Sequence, residues 1–578
     1  MDAILIHCET LVNPCGKCTA DKPDGEIEIR LITTGICLMN ASVKFKKRSI
    51  FCGMEKSGNP KTLMNQSLTT FINGRIITLD ESRPIAKSVT VSGGRIIGLD
   101  ISPVGKIIDL KGGVMIPGLC DAHMHLANFG KFLSELSFVG VNSPHIIAQM
   151  VADEAGANPP GTWIFGRGWD QTFWASSEFP IAEILDTLTP DHPVMLTRVD
   201  GHAAWVNRCA RNLAGYSSDT TLPDGAKVVN DCIFIDKAME MIWKVLPPKD
   251  VHRIRKYIDR ALPKLWARGI TMVHDAWMDS ATLSVIETMI GEGHFKMNCY
   301  GMLASDDPDL LERFFLQGPF VSARLIIRSV KTFMDGALGS RGAALLEPYT
   351  DDPDNRGLIL LSEDELESLA KQCLAAGFQL NTHAIGDRAN RLVLNLYHRV
   401  LKGKNPHRWR IEHAQMIADE DIPTFTANDI IPSMQPSHCT SDMRWLGHRI
   451  GDHRTDRISR WNTFINAGLK VAGGSDCPIE SGNLLHEIYA AITRQDHLGQ
   501  PKSGWHSDEC VKPIDALKIF TTWAAYSAFE DQHRGKITPG YLADLTVLSK
   551  DITTITPDEI LNTEVLMTVI GGEVVYKK

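Results

Sequence analysis

His123 and His125 stand two residues apart. Side chains at i and i+2 of an extended chain share a face, so both imidazoles can approach one ion from the same side. Further along come Lys331, His383 in Asn381-Thr-His383, His413 in Ile411-Glu-His413, and Asp476 in Gly474-Ser-Asp476. Imidazole nitrogens and carboxylate oxygens suit Zn²⁺, and they also serve Mn²⁺ and Fe²⁺. An ion so held lowers the pKa of a bound water toward ~7, giving hydroxide at neutral pH. Taken singly, each residue has an ordinary alternative: a hydrogen-bonded core histidine, a turn or helix-capping aspartate, a solvated lysine. Their shared position carries the argument. Each follows a short apolar run, where buried charge needs a partner or a metal.

Those runs alternate with helical patterns. Val114-Met-Ile, Ile270-Thr-Met-Val, Met297-Asn-Cys-Tyr, Ile326-Ile-Arg-Ser-Val, Phe378-Gln-Leu, Arg410-Ile, Ile430-Ile-Pro-Ser-Met and Leu469-Lys-Val-Ala are the expected strands. Amphipathic stretches such as Glu363 to Leu374 sit between most of them. Repeated β-then-α units predict an α/β protein built on a (β/α)8 TIM-type barrel, with its active site at the C-terminal ends of the strands. The interval of about 127–268 is too long for one loop and helix, and predicts an inserted subdomain with Pro193 to Val199 as a strand. Short β-rich segments with turn signals at Asn73-Gly74, Gly93-Gly94 and Gly571-Gly572 occupy both ends. They predict a small β-sandwich assembled from 64–116 and 535–578, with 117–534 left for the barrel.

Composition narrows the class. The chain has 578 residues, 43% hydrophobic and 22% charged, ordinary globular values that exclude global disorder. A net charge of −9 argues against a nucleic-acid partner bound through a basic field. No apolar run approaches the ~18 residues of a membrane span, and the first residues lack the pattern of a signal peptide. The 13 cysteines read as reduced thiols of a cytoplasmic protein. Residues 1–63 are poorly patterned; their Cys15-Gly-Lys-Cys18 is at most half of a zinc site or a redox pair, and Met64 is a plausible alternative start.

Longer motifs surround the candidate ligands: Pro117-Gly-Leu-Cys-Asp-Ala-His-Met-His-Leu126, Gly168-Trp-Asp170, Asp200-Gly-His-Ala-Ala-Trp-Val-Asn207 and Lys331-Thr-Phe-Met-Asp-Gly-Ala-Leu-Gly-Ser-Arg341. Asn381-Thr-His-Ala-Ile-Gly-Asp387, Ile411-Glu-His-Ala-Gln415, Gly474-Ser-Asp-Cys-Pro478 and Gly540-Tyr-Leu-Ala-Asp-Leu545 continue the set. From about Thr69 to the C-terminus the sequence resembles the amidohydrolase superfamily, in the family 3 branch that contains N-substituted formamide deformylase. The resemblance implies the barrel, a composite β-sandwich and a centre of one or two metal ions. It implies that His123, His125 and Asp476 bind a first ion and that His383 and His413 bind a second. Lys331 falls where binuclear members carry a bridging carboxylated lysine. An unmodified ammonium cannot ligate a cation, so that role requires the carbamate.

The reaction so implied is hydrolysis of a non-peptide C–N bond in a small amide or N-substituted formamide. Metal-bound hydroxide attacks the carbonyl and Asp476 shuttles the proton to the leaving nitrogen. His202, in the insertion, is the candidate donor to the carbonyl oxygen. Trp169 is a candidate pocket wall, Arg341 a candidate anion clamp, and His438, after the seventh strand, a cavity-facing residue. Hydrolysis of a cyclic amide, carbamate or ester, deamination, and a non-catalytic barrel scaffold are the rivals. A homodimer is compatible with a barrel of this size, though no interface is readable.

Overall fold

The computed structural model describes residues 68–199, 201, 203–222, 226–247 and 250–578. The Cys15/Cys18 pair, the rest of the 1–63 extension, and His202 lie outside the described residues.

Eight parallel strands form the barrel wall: β1 (Leu119–Met124), β2 (Ile270–Met278), β3 (Asn298–Ala304), β4 (Leu325–Phe333), β5 (Gln379–Ala384), β6 (Arg410–His413), β7 (Ile431–Met434) and β8 (Ala472–Gly473). They pair in chain order. Backbone bonds just past β8 bring its end to β1: Asp476 N–H donates to His123 O at 2.7 Å, and His125 N–H to Cys477 O at 2.9 Å. The strands are buried along nearly their whole length, as parallel strands covered by helices must be, and so read as continuous apolar runs.

The first expected strand is corrected by the structure. Val114–Pro117 is not in the barrel; it pairs parallel with Arg75–Ile77 and antiparallel with Leu545–Leu548. Two buried strands follow each other there with only Gly118 between them, so hydrophobicity alone could not divide them. Gly118 marks the crossing, where a Cβ would collide with the Thr271 side chain. The histidine pair therefore lies at the end of β1 rather than after the earlier run.

Val114–Pro117 belongs to a six-stranded sheet with Arg75–Ile77, Ile85–Ala86, Leu545–Leu548, Val565–Ile570 and Glu573–Lys577. A four-stranded sheet holds Thr69–Ile72, Val89–Ser92, Arg95–Leu99 and Lys106–Asp109. The sheets share one core, to which Phe71, Val89 and Ile96 come from the second and Met115, Val547 and Val569 from the first. Residues from both ends of the chain thus close one hydrophobic layer.

Between β1 and β2 another six-stranded sheet runs from Leu136–Ser137 to Ile233–Asp236, with Val194–Arg198 as one of its strands. Trp169, Trp174 and Trp205 fill its core. The helices Leu126–Phe132 and Val251–Ala267, which bracket this sheet, pack instead with the barrel: Phe129, Ile254, Ile258 and Leu262 join the main core. They meet closely at Gly130, where any side chain would run into the Tyr257 backbone. Among the described residues no helix is long and apolar enough to cross a membrane.

Candidate metal centre

The candidate ligands reach the centre from the C-terminal ends of five strands, β1, β4, β5, β6 and β8. His123 is the penultimate residue of β1, and His125 is the N-cap of the helix that follows. Lys331 lies in β4 beside Asn381, and His383 in β5 stands level with Phe333 and Glu412. At the end of β6 the backbone turns left-handed, with φ +72° at His413 and +43° at Ala414, and Asp476 has φ +52°. Such conformations are uncommon outside glycine and concentrate at functional sites.

The side chains converge. Ligand atoms of His123, His413 and Asp476 lie within 4.8 Å of one another. Asp476 Oδ1 is 3.3 Å from His125 Nε2 and 3.5 Å from His123 Nε2, and Oδ2 is 3.7 Å from His438 Nε2. The His413 ring centre is 4.5 Å from that of His383, 4.8 Å from that of His123 and 5.9 Å from that of His438, with which it stacks. His123 Nδ1 is hydrogen-bonded to Glu412 Oε2, and His413 Nδ1 lies 2.8 Å from Gln435 Oε1. Those bonds occupy the two Nδ1 atoms and leave the Nε2 lone pairs as ligand positions.

Burial sets the electrostatics. It lowers the Lys331 ammonium to about 8 and His123 to about 4, and holds His383 and His413 well below the ordinary imidazole value. Burial thus favours the neutral imidazole, the form in which a histidine ligates. For Asp476, burial would favour the acid, but the bond from His125 and the surrounding imidazoles outweigh it and hold the carboxyl well below its usual range. Several buried polar atoms here have no hydrogen-bond partner: Lys331 Nζ, both ring nitrogens of His383, and both amide atoms of Asn381. Buried polar atoms are nearly always satisfied, so a concentration of orphans at convergent donors fits a site built to receive an ion. The donors suit a divalent ion, and the Lys331 amine, inert as an ammonium, suits one only when neutral or carboxylated.

Beside this cluster lies a cavity of ≈ 270 Å³ lined by His125, Lys131, Phe165, Arg253, Asp275 and Trp277 among others. Trp277 packs on Phe333, which packs on His383, so the cavity adjoins the centre from two sides.

Two expected substrate residues are placed elsewhere. Trp169 is fully buried in the insertion core, its Nε1–H donating to Leu196 O at 2.7 Å, so it forms no pocket wall. Arg341 is gripped by Asp351 through Nε at 3.1 Å and Nη2 at 2.9 Å, so its guanidinium is already engaged. The structure also adds residues not singled out from sequence. Glu412 and Gln435 orient histidines; Asp335 accepts from the backbone N–H groups of Ala344, Ile385 and Gly386 at 2.8–2.9 Å, with Oδ1 3.6 Å from His383 Nε2. Asp121 accepts from the Ser475 N–H at 2.9 Å and hydroxyl at 2.5 Å, tying β1 to the Asp476 loop. Glu412 and Asp121 sit within two residues of a candidate ligand, Asp335 four residues after Lys331 and Gln435 three before His438, and an acidic or amide side chain near a strand end was the available signal.

The comparisons agree with this geometry. Residues 106–576 match the model of the Amidohydrolase family. The Bacillus subtilis protein named "Putative amidohydrolase YtcJ" is 33% identical over 489 residues, 82% of this chain and 92% of its own length. N-substituted formamide deformylase of Arthrobacter pascens is 24% identical over 552 residues, 88% of this chain and 98% of its own. The crystal structure of an uncharacterised metal-dependent hydrolase from Pyrococcus furiosus superposes with a TM-score of 0.73 at 28% identity, over 84% of this chain and 100% of that one. The family model spans most of this eight-stranded barrel and its flanking sheets, and this chain, a metal-dependent hydrolase, belongs to the amidohydrolase family.

Proposed function

We propose that the protein hydrolyses a non-peptide C–N bond in a small amide or N-substituted formamide. The observation that carries this reading is the position of Asp476, an ionised, buried carboxylate facing His123, His125 and His438 at once. In this reading His123, His125 and Asp476 hold one divalent ion, Zn²⁺ best suiting the donors. His383 and His413 would hold a second, with Lys331, as its carbamate, supplying a further ligand oxygen. The lowered Lys331 pKa supports that modification, since only the neutral amine adds CO2. When bound, the ion supplies positive charge for the carbonyl oxygen and acidifies a water toward neutral pH.

The chain's own residues do the rest. Asp476 takes the proton of the attacking water and returns it to the leaving nitrogen, which departs as the amine. His438 Nε2 faces Asp476 Oδ2 at 3.7 Å and lines the side of the carboxylate away from His125. The cavity walls Phe165, Leu246 and Trp277 take an apolar substituent on the amide and keep water from it. His202, by its sequence position in the insertion, is the donor to the carbonyl oxygen in this reading. Similarity to the formamide deformylase supports formamides as the first substrates to try.

Hydrolysis of a panel of N-substituted formamides, simple amides and esters tests the reading, with the purified chain before and after chelation and with D476N. Amine release that chelation and D476N both abolish is expected. Turnover of esters with every amide untouched would overturn the C–N assignment. Amide turnover surviving in D476N would remove Asp476 as the proton carrier.

A further inference from the structure

Arg410 and Glu412 lie two residues apart in β6, and both are wholly buried. A buried carboxylate and guanidinium need close partners. Glu412 Oε1 is 2.7 Å from Arg410 Nε, and Oε2 accepts from Arg410 Nη2 at 3.1 Å as well as from His123 Nδ1. The guanidinium spends its remaining donors on three other strands: Ala122 O of β1 at 2.7 Å, Ser433 Oγ of β7 at 2.7 Å, and His274 Nδ1 of β2 at 3.1 Å.

Stability does not explain such a pair, because well-packed apolar residues commonly replace buried ion pairs at no loss. Its consequence falls on His123. An ionised carboxylate only accepts hydrogen bonds, so His123 must donate from Nδ1 and present a bare Nε2 lone pair toward Asp476, 3.5 Å away. His413 is oriented by the neutral amide oxygen of Gln435 instead. Of these two histidines, His123 therefore receives the charged acceptor, the one that raises ligand basicity.

We infer that Glu412 is a positioning residue of the metal centre, fixing the tautomer and strengthening the donor power of His123, while Arg410 holds Glu412 across four barrel strands. The inference rests on the metal-centre reading above. Its test is Zn²⁺ affinity by chelator competition on the full chain, together with the visible spectrum of the Co²⁺-substituted protein. E412D keeps the charge that faces Arg410 but draws the carboxylate back from His123. E412Q keeps the reach and loses the charge. S433A removes one Arg410 acceptor without touching His123 and measures simple loosening.

E412D and E412Q should bind Zn²⁺ ~10–100-fold more weakly with an altered Co²⁺ spectrum, with S433A near the parent. Affinities of both Glu412 variants within about twofold of the parent, with an unchanged spectrum, would overturn the inference. So would S433A weakening binding as much as E412D. If E412Q fails to fold, E412D decides alone, its charge pair being intact. A parent that binds neither ion brings down the metal-centre reading and this inference with it; a binding parent with an unaffected E412D brings down this inference only.

Discussion

Two buried asparagines separate the insertion from the barrel mouth. Asn207, fully buried in the insertion, donates from Nδ2 to Thr189 O at 2.9 Å, Thr189 Oγ1 at 3.0 Å and His192 O at 2.8 Å. Its Oδ1 accepts from Val194 N–H at 2.9 Å and Ala210 N–H at 3.1 Å, the latter as a helix N-cap. Asn381 of β5 is equally buried, yet neither amide atom has a partner. It neighbours Lys331, whose Nζ is also unpartnered. The same residue type is spent on architecture in one region and left with capacity in the other. Satisfied buried polar groups specify a fold, whereas orphaned ones cost stability unless something binds them.

That contrast can be broken by mutation. The largest effect is expected for D476N at the barrel mouth: amide turnover falls by ~10²–10⁴-fold, while the thermal midpoint of the metal-free protein barely moves. A variant that lost its fold in parallel would place Asp476 with the architectural residues. N207A should cost about 3 kcal/mol in denaturant unfolding, combining a lost N-cap with stranded donors. A cost below about 1 kcal/mol would mean that the insertion does not depend on that network. Metal should stabilise the parent through the centre, by ~2.7 kcal/mol at a hundredfold excess over Kd. Chelation that leaves the unfolding curve in place would end the idea that the orphaned groups await an ion. The smallest effect is expected for N381A in metal-free protein, within about 1 kcal/mol, because no hydrogen bond is lost. A penalty matching that of N207A would show that Asn381 is satisfied after all and erase the comparison.

Much of the fold was legible because parallel strands flanked by helices leave short apolar runs at regular intervals. Seven of the expected runs overlap barrel strands, while Val114 to Ile116 lies in the outer sheet beside Leu545–Leu548. Its apolar pattern is the same in either sheet, and the partner that decides is hundreds of residues away. The insertion strand expected at Pro193 to Val199 is found at Val194–Arg198. Trp169 illustrates the opposite limit. An indole that follows Gly166 and Gly168 looks the same in sequence whether it faces a ligand or, as here, Leu196 O and two other tryptophans.

The sequence by itself determined the kind of chemistry available. Residue types set donor atoms and charge, and the spacing of His123 and His125 follows from two-residue alternation, a local property of the chain. Only the tertiary structure decided which residues act on those donors. The Asp121–Ser475 bonds and the link from the Arg410–Glu412 pair to His123 depend on contacts between distant segments. Protonation and orientation at the centre follow from burial and neighbours that exist only once the eight strands have closed, so they cannot be read from residue type and spacing alone.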